Sequence, residues 1–285
     1  MTGTEPKPHG SHGLLAGKTV LVTAAAGTGI GFATARRCAE EGARVAISDK
    51  HERRLGEALA ELTDVVAEAA ERGAERGARS GADRGVTVDG YSGKPLAVPC
   101  DVTVEGDVRN LFDAVATEFG RIDIVVNNAG LGGTALLADM TDEQWSRVLD
   151  VTLTGTFRCT RAALRHMLPR NAGVIVNNSS VLGWRAQAGQ AHYAAAKAGV
   201  MALTRCAAME AAPHGVRVNA VAPSLATHPH LAKVTDERTL AELTAKEAFG
   251  RAAAPWQVAD VIVFLASDYS SYLTGEVVSV SSQHP

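Results

Sequence analysis

Tyr193 and Lys197 sit four positions apart in the run Tyr193-Ala-Ala-Ala-Lys197, and Ser180 lies thirteen residues upstream of the tyrosine. The intervening alanines are strong helix formers, so the phenol and the ammonium fall on one helical face. A phenol ordinarily titrates at about pH 10, and a nearby ammonium favours the phenolate, bringing it towards the range a general acid/base needs. The Ser180 hydroxyl is of the right type to hydrogen-bond the same reacting oxygen. The bland account is a half-buried tyrosine beside a solvated lysine, and Tyr-x-x-x-Lys is common by chance. The elements around the trio decide between the two.

Those elements begin with the apolar run TVLVT, suited to a strand buried on both faces. It leads into Ala24-Ala-Ala-Gly27-Thr28-Gly29-Ile30-Gly31 and then a helical pattern ending at Gly42. Strand, glycine-rich turn and helix are the setting of a dinucleotide site. Gly27, Gly29 and Gly31 let the backbone approach a pyrophosphate, which the helix N-terminus then attracts. A second strand, RVAIS, ends at Asp49, 22 residues after Gly27. An acid there accepts from an adenosine ribose and repels a 2′-phosphate, so NAD(H) is favoured, while Lys50, Arg53 and Arg54 keep NADP(H) open. Asp49 is also placed to cap the helix starting near His51.

The third strand, LAVPCDVT, ends near Asp101, an acid able to meet an adenine amino group or to cap the following helix. A fourth, IDIVV, is followed by Asn127-Asn128-Ala129-Gly130, small and amide residues suited to packing against a cofactor, and a fifth, GVIVNNSS, delivers Ser180 to the same edge. VRVNAVAPS and VVSVSS complete about seven strands. Strands alternating with helices predict an α/β, Rossmann-like fold: a doubly wound parallel sheet with helices on both faces and its ligand site beyond the strands' carboxyl ends. Residues 17–285 read as one domain after a mobile tail over 1–16. The Gly- and Arg-rich stretch 71–93 reads as an exposed insertion, loosely ordered or partly helical, and 224–254 as a lid or substrate-pocket segment.

With 285 residues, a net charge of −3 and a pI near 6.3, the chain has no basic excess to suggest nucleic acid or an acidic membrane surface. No apolar run is long enough to span a bilayer. Cys38, Cys100, Cys159 and Cys206 are scattered, as expected of reduced, buried thiols in a cytoplasmic protein, and the nine histidines form no metal-ligand pattern.

In this order the glycine turn, Asp101, Asn127-Asn128-Ala129-Gly130, Ser180, Tyr193-x-x-x-Lys197 and VRVNAVAP resemble the short-chain dehydrogenase/reductase family over roughly Gly17 to Ser282. The wording of AAAGTGIGFATARRCA, NNSSVLGWRAQAGQAHYAAAKAGV and GEVVSVSSQHP is similar to actinobacterial reductases of steroid ring C/D catabolism. These act on a hydroxyl or ketone of a methylhexahydroindanone carried as a CoA thioester. The resemblance implies that Tyr193 exchanges a proton with the substrate oxygen, Ser180 holds that oxygen, and Lys197 depresses the tyrosine pKa and bonds the nicotinamide ribose. It assigns cofactor contacts to Thr23, Gly27, Thr28, Gly29, Ile30, Gly31, Asp49, Asp101, Val102, Asn128, Ala129, Gly130, Tyr193, Lys197, Pro223 and Ser224. Trp184, Arg185, Gln187 and His192, between Ser180 and Tyr193, are candidate substrate contacts, with Arg185 suited to a CoA phosphate or a carboxylate.

Four positions depart from the family pattern. The glycine turn is one residue longer, with Ala24 at the first glycine's place. Thr152 stands where the family often has a catalytic asparagine. Ser224 replaces the glycine of Pro-Gly after the sixth strand, with Thr227 the nearest candidate for a carboxamide partner, and Ser281-Ser282 replaces a usual Asp-Gly-Gly. The expected activity is NAD(P)-dependent interconversion of a secondary alcohol and a ketone on a bulky cyclic, CoA-linked substrate by a homotetramer or homodimer. A 3-oxoacyl thioester reductase using NADPH and a non-catalytic dinucleotide sensor are the alternatives.

Overall fold

The structure, a computed structural model, describes residues 10–80, 93–226 and 237–283. Its strands are β1 (Thr19–Val22), β2 (Arg44–Asp49), β3 (Leu96–Pro99), β4 (Ile124–Asn127), β5 (Gly173–Asn178), β6 (Val216–Pro223) and β7 (Val277–Val280). They form one seven-stranded sheet in the order β3-β2-β1-β4-β5-β6-β7, and every pairing is parallel. The order reverses between β1 and β4, the crevice where an open α/β sheet takes its ligand. Eight α-helices are present among the described residues: α1 (Ile30–Glu40), α2 (Glu52–Ser80), α3 (Glu105–Phe119), α4 (Asp142–Leu149), α5 (Gly155–Met167), α6 (Ala191–Ala211), α7 (Glu237–Ala245) and α8 (Pro255–Ala266).

Both faces of the sheet are covered, which explains the unbroken apolar strands. Val20 and Val22 join Phe32 of α1, Leu62 of α2 and Ile262 of α8 on one face. Leu21, between them in β1, turns to the other face and joins Leu111 and Phe112 of α3, Met167 of α5 and Ala207 of α6. Each such side chain contributes about 1.5–3 kcal/mol by leaving water. Burial pushes the Cys38 and Cys100 thiols up to about 12, so both behave as small apolar groups; Cys206, contrary to expectation, is exposed on α6.

Two segment boundaries differ from the sequence reading. The chain enters the fold before Gly17: His12 and Leu14 donate backbone N–H groups to Glu41 Oε2, and Leu15 is fully buried. The stretch expected to be loosely ordered or partly helical from residue 71 continues α2 as far as Ser80; residues 81–92 lie outside the described residues, as do 1–9 and Thr227. Between β4 and β5, α4 and α5 are joined by a π-helical turn at Asp150–Thr154, which carries Thr152. Thr141 starts α4 with a reciprocal cap on Gln144.

The β1–α1 turn has a steric requirement at Gly31. A Cβ there would stand 2.4 Å from Asn128 Nδ2 and 2.5 Å from the Ala24 carbonyl oxygen. Gly31→Ala is expected to lower the unfolding free energy by about 1–3 kcal/mol, the usual penalty of overpacking, measured by urea denaturation. An unchanged midpoint would show that the turn relaxes freely.

Candidate active site

The carboxyl edge of the sheet is assembled from β1 and β4 outward. Thr23 Oγ1 accepts from the N–H groups of Asn128 (3.0 Å) and Ala129 (3.3 Å), and Asn128 Nδ2 donates to the Ala24 carbonyl at 3.0 Å. Ala24 is held at φ 51°, in the left-handed region that glycine normally occupies. The alanine at the first glycine's place therefore keeps a glycine's backbone geometry, at a cost of about 1–2 kcal/mol. Beyond it, Cβ positions built on Gly27 and Gly29 meet nothing within 4 Å, and no side chain caps the N-terminus of α1 at Gly29. Open space against an uncapped helix N-terminus fits a dinucleotide pyrophosphate. Thr28 is exposed at the tip, while Ile30 packs towards the core.

Asp49 closes β2 with 8% of its surface exposed, and its Oδ1 accepts from the N–H of His51, the residue before α2, at 2.9 Å; it does not bond an N–H of the helix itself, as is expected of a cap. Arg54 Nη2 approaches the same oxygen at 3.8 Å, and Arg53 pairs with Glu57. Asp101 does not cap α3, whose first turn begins after Val104; its Oδ1 instead accepts from the Thr103 N–H and hydroxyl. Burial would raise the Asp101 pKa, but those two bonds, with Lys50 and Arg158, hold it below the ordinary carboxylate value. The Val102 side chain is taken up by the core against Gly155 of α5.

Ser180, Tyr193 and Lys197 meet at the end of β5. Ser180 Oγ accepts from the Leu182 N–H at 3.2 Å, which fixes the hydroxyl while leaving its hydrogen available, and it lowers the Tyr193 pKa as a hydrogen-bond partner. Lys197, 3% exposed, donates from Nζ to the Asn178 carbonyl at 2.6 Å and lies 5.5 Å from the Tyr193 ring centroid. Burial is the larger influence on the Tyr193 phenol and raises it, with the Ser180 bond opposing, while the Lys197 ammonium stands over the tyrosine ring. Burial also lowers Lys197 itself, to about 8.

Thr152 is buried beside this group. Its Oγ1 accepts from the Leu131 N–H at 3.0 Å and donates to the Leu131 carbonyl at 3.3 Å, so it fixes the chain after Gly130. A Cβ on Gly130 would stand 3.4 Å from Lys197 Nζ and 3.9 Å from Thr152 Oγ1, which places all three in one small volume.

The candidate substrate residues separate. His192, 2% exposed, accepts from the Tyr193 N–H through Nδ1, so its Nε2 carries the hydrogen when the ring is neutral. It lines a cleft of about 230 Å³ with Leu131, Gly133, Thr134, Gln144 and Arg147. Trp184 is half exposed and Gln187 partly buried. Arg185 is partly buried, with its guanidinium bonded to the side chain and carbonyl of Gln283. Pro223 ends β6, and Ser224 donates its N–H to the Val280 carbonyl and its side chain to Glu247.

Asn178 is a residue of the edge that the motifs do not single out. It supplies the carbonyl for Lys197 and donates from Nδ2 to Asn128 Oδ1 at 2.9 Å. Asn127, paired with Asn177 across β4 and β5 at 2.9 Å, supports it from below. The available signal is the repeated Asn-Asn at the ends of two apolar strands.

Comparison with known proteins matches residues 18–75 to a family model described as short chain dehydrogenase and residues 78–282 to one described as enoyl-(acyl carrier protein) reductase. The chain is 58% identical over 281 residues, 98% of both chains, to the (5R,7aS)-5-hydroxy-7a-methyl-1-oxo-2,3,5,6,7,7a-hexahydro-1H-indene-carboxyl-CoA reductase of Mycobacterium tuberculosis. It is 42% identical to a cis-4-hydroxycyclohexanecarboxylate dehydrogenase of Sinomonas cyclohexanicum, over 92% of this chain and 94% of that one. It is 37% identical to a 3-oxoacyl-[acyl-carrier-protein] reductase of Thermotoga maritima, over 93% and 97%. A short chain dehydrogenase structure from Mycobacterium smegmatis superposes with a TM-score of 0.79 at 54% identity, covering 99% of each chain.

Burial of Lys197 has a measurable consequence. Its folded pKa of about 8 lies below the ordinary 10.5, so between those values the unfolded chain binds more protons. This contribution to stability grows as pH rises through that window and is absent below it. The unfolding free energy of the native chain minus that of Lys197→Met is expected to increase from pH 8 to 10, by up to about 1.4 kcal/mol per unit. A difference flat with pH, in denaturation titrations, would refute the buried-ammonium account.

Proposed function

The chain belongs to the short-chain dehydrogenase/reductase family and is an oxidoreductase of alcohols and ketones; from that premise we propose that Tyr193 is its general acid/base and that it acts on a ring-borne secondary alcohol or ketone beside a carboxyl-derived group, carried as a CoA thioester. The observation that carries the mechanism is the convergence of Ser180, Tyr193 and Lys197 beside an open glycine turn at the carboxyl edge of the sheet. A nicotinamide dinucleotide bound against Gly27 and Gly29 supplies or accepts the hydride. In the reducing direction the Ser180 hydroxyl donates to the substrate carbonyl oxygen, and Tyr193, whose buried phenol keeps its proton, delivers that proton to the same oxygen. Lys197 holds the end of β5 through Asn178, and its remaining N–H groups are the donors we assign to the nicotinamide ribose.

The cofactor preference we propose is NAD(H): one Asp49 oxygen is engaged by His51, and the other is free to accept from a ribose hydroxyl. For the substrate, two relatives bear names that describe a ring hydroxyl and a carboxyl group on one skeleton. His192 Nε2–H is the donor we assign to the second oxygen function, with Trp184 against the ring system. Arg147, which lines the cleft, replaces Arg185 as the cation for an anionic tail. The 37% identity to a 3-oxoacyl-[acyl-carrier-protein] reductase supports a second reading, a linear 3-oxoacyl thioester with NADPH. Exposed Trp145, Phe157 and Met209 on α4, α5 and α6 favour a homo-oligomer.

Absorbance assays of NADH and NADPH oxidation against cyclic and linear 3-oxo thioesters discriminate the readings: kcat/KM is expected to be highest for NADH with a cyclic ketone, and equal values for the two cofactors would refute the Asp49 assignment. Tyr193→Phe is expected to lower kcat by about 10²–10⁴-fold while cofactor Kd, read by protein fluorescence, stays within about twofold. Retained turnover would remove Tyr193 from the mechanism.

A further inference from the structure

Glu247 is a buried carboxylate that the hydride chemistry does not use. It lies in the turn after α7 with 4% of its surface exposed, and among the described residues it has no cationic partner. A lone buried charge is expensive unless donors surround it. Here Oε1 accepts from the Leu225 N–H at 3.3 Å and from Gln283 Nε2 at 2.9 Å, and Oε2 from the Ser282 hydroxyl at 2.7 Å. The Ser224 side chain is a further partner, and these bonds together overcome the burial that would raise the carboxyl, holding it below its ordinary value.

The four donors come from two segments far apart in the chain: Ser224-Leu225 after β6, and Ser282-Gln283 after β7. Backbone bonds Ser224 N–H to Val280 (3.2 Å) and Ala248 N–H to Ser282 (3.1 Å) run alongside them. Gln283 then carries the contact further, since its Oε1 and carbonyl accept from Arg185, in the loop between Ser180 and Tyr193. Two of the four departures from the family pattern, Ser224 for glycine and Ser281-Ser282 for Asp-Gly-Gly, thus lie in or beside this cluster, with Ser224 and Ser282 each supplying a hydroxyl to the carboxylate. A glycine at either place has no side chain to donate.

We propose that Glu247 is a positioning residue: it clamps the segments after β6 and β7 together and, through Gln283 and Arg185, sets the loop at residues 183–190 that borders the substrate cleft. The effect on substrate rests on the functional reading above; the mechanical coupling does not. Glu247→Ala removes the acceptor of all four donors at once. Glu247→Gln is milder, because its amide can face Ser282, whose hydroxyl is able to turn and accept. Gln283→Ala removes the side-chain bonds to both Arg185 and Glu247, keeps the backbone carbonyl that accepts from Arg185, and leaves the carboxylate its donors from Ser224, Leu225 and Ser282.

The test is amide hydrogen exchange on the full chain, joined to steady-state kinetics. Gln283→Ala and Glu247→Ala are each expected to speed exchange in residues 183–190, where the N–H groups of Arg185 and Gln190 are bonded within the loop. The double variant is expected to add nothing further in that loop, and Glu247→Gln to fall between native and Glu247→Ala. Where a substrate is turned over, its KM is expected to rise by about fivefold in Gln283→Ala with the cofactor KM unchanged. Exchange confined to residues 224–226 and 281–283, with 183–190 at native rates, would overturn the coupling. So would a rise in 183–190 that is additive in the double variant. If Glu247→Ala does not fold, Glu247→Gln read beside Gln283→Ala decides the outcome, native exchange at 183–190 in Glu247→Gln overturning the role of the carboxylate, and exchange is read whether or not the assigned substrate class is correct.

Discussion

A line of buried hydrogen bonds across three strands holds the site together. Thr23 at the end of β1 fixes Asn128 after β4; Asn128 pins the Ala24 carbonyl and accepts from Asn178 at the end of β5; the Asn178 carbonyl accepts from Lys197 on α6. The glycine turn at one end and the lysine at the other are thereby one rigid object. In a low-dielectric interior such a line is strong when complete, and loss of any member leaves another buried group unpaired. It also locks register. Asn127 and Asn177 pair directly across β4 and β5 and donate to Thr160 and Thr204 beneath them, so a slip of one residue would break the pair and leave buried amides without partners.

The same burial sets the resting electrostatics. Desolvation disfavours a charge on either partner, raising Tyr193 and lowering Lys197, so both are biased towards their neutral forms. A phenol that retains its proton beside a fixed serine hydroxyl is arranged to give that proton to an oxygen gaining negative charge. The lysine also fixes the end of β5 through the Asn178 carbonyl.

Strands buried on both faces read as unbroken apolar runs, which is why TVLVT, IDIVV and GVIVNNSS were legible with their order and their chemical ends. The i, i+4 relation of Tyr193 and Lys197 was equally legible, because helix geometry alone dictates it. What could not be read depends on groups brought together by the sheet. The direction of the Lys197 ammonium depends on a carbonyl nineteen residues away, and the engagement of Arg185 depends on Gln283, 98 residues away. The early entry of the chain at His12 depends on Glu41, whose carboxylate meets two backbone N–H groups that composition could not foresee.

The departures from the family pattern are where tertiary context outweighs motif. At Ala24 the backbone keeps a left-handed φ without glycine because Asn128 holds its carbonyl and Ser48 accepts from the N–H of Ala25, so the surrounding bonds carry the strain. At Thr152 the side chain is shorter than an amide, yet the π-helical turn of Asp150–Thr154 brings its hydroxyl to both backbone groups of Leu131. A hydroxyl has one hydrogen and two lone pairs. With the hydrogen given to the Leu131 carbonyl and one lone pair taken by the Leu131 N–H, Thr152 retains a single acceptor site. It can receive a hydrogen bond from a neighbour, but it cannot pass a proton onward without releasing Leu131, and the loop that borders the cleft would move with it.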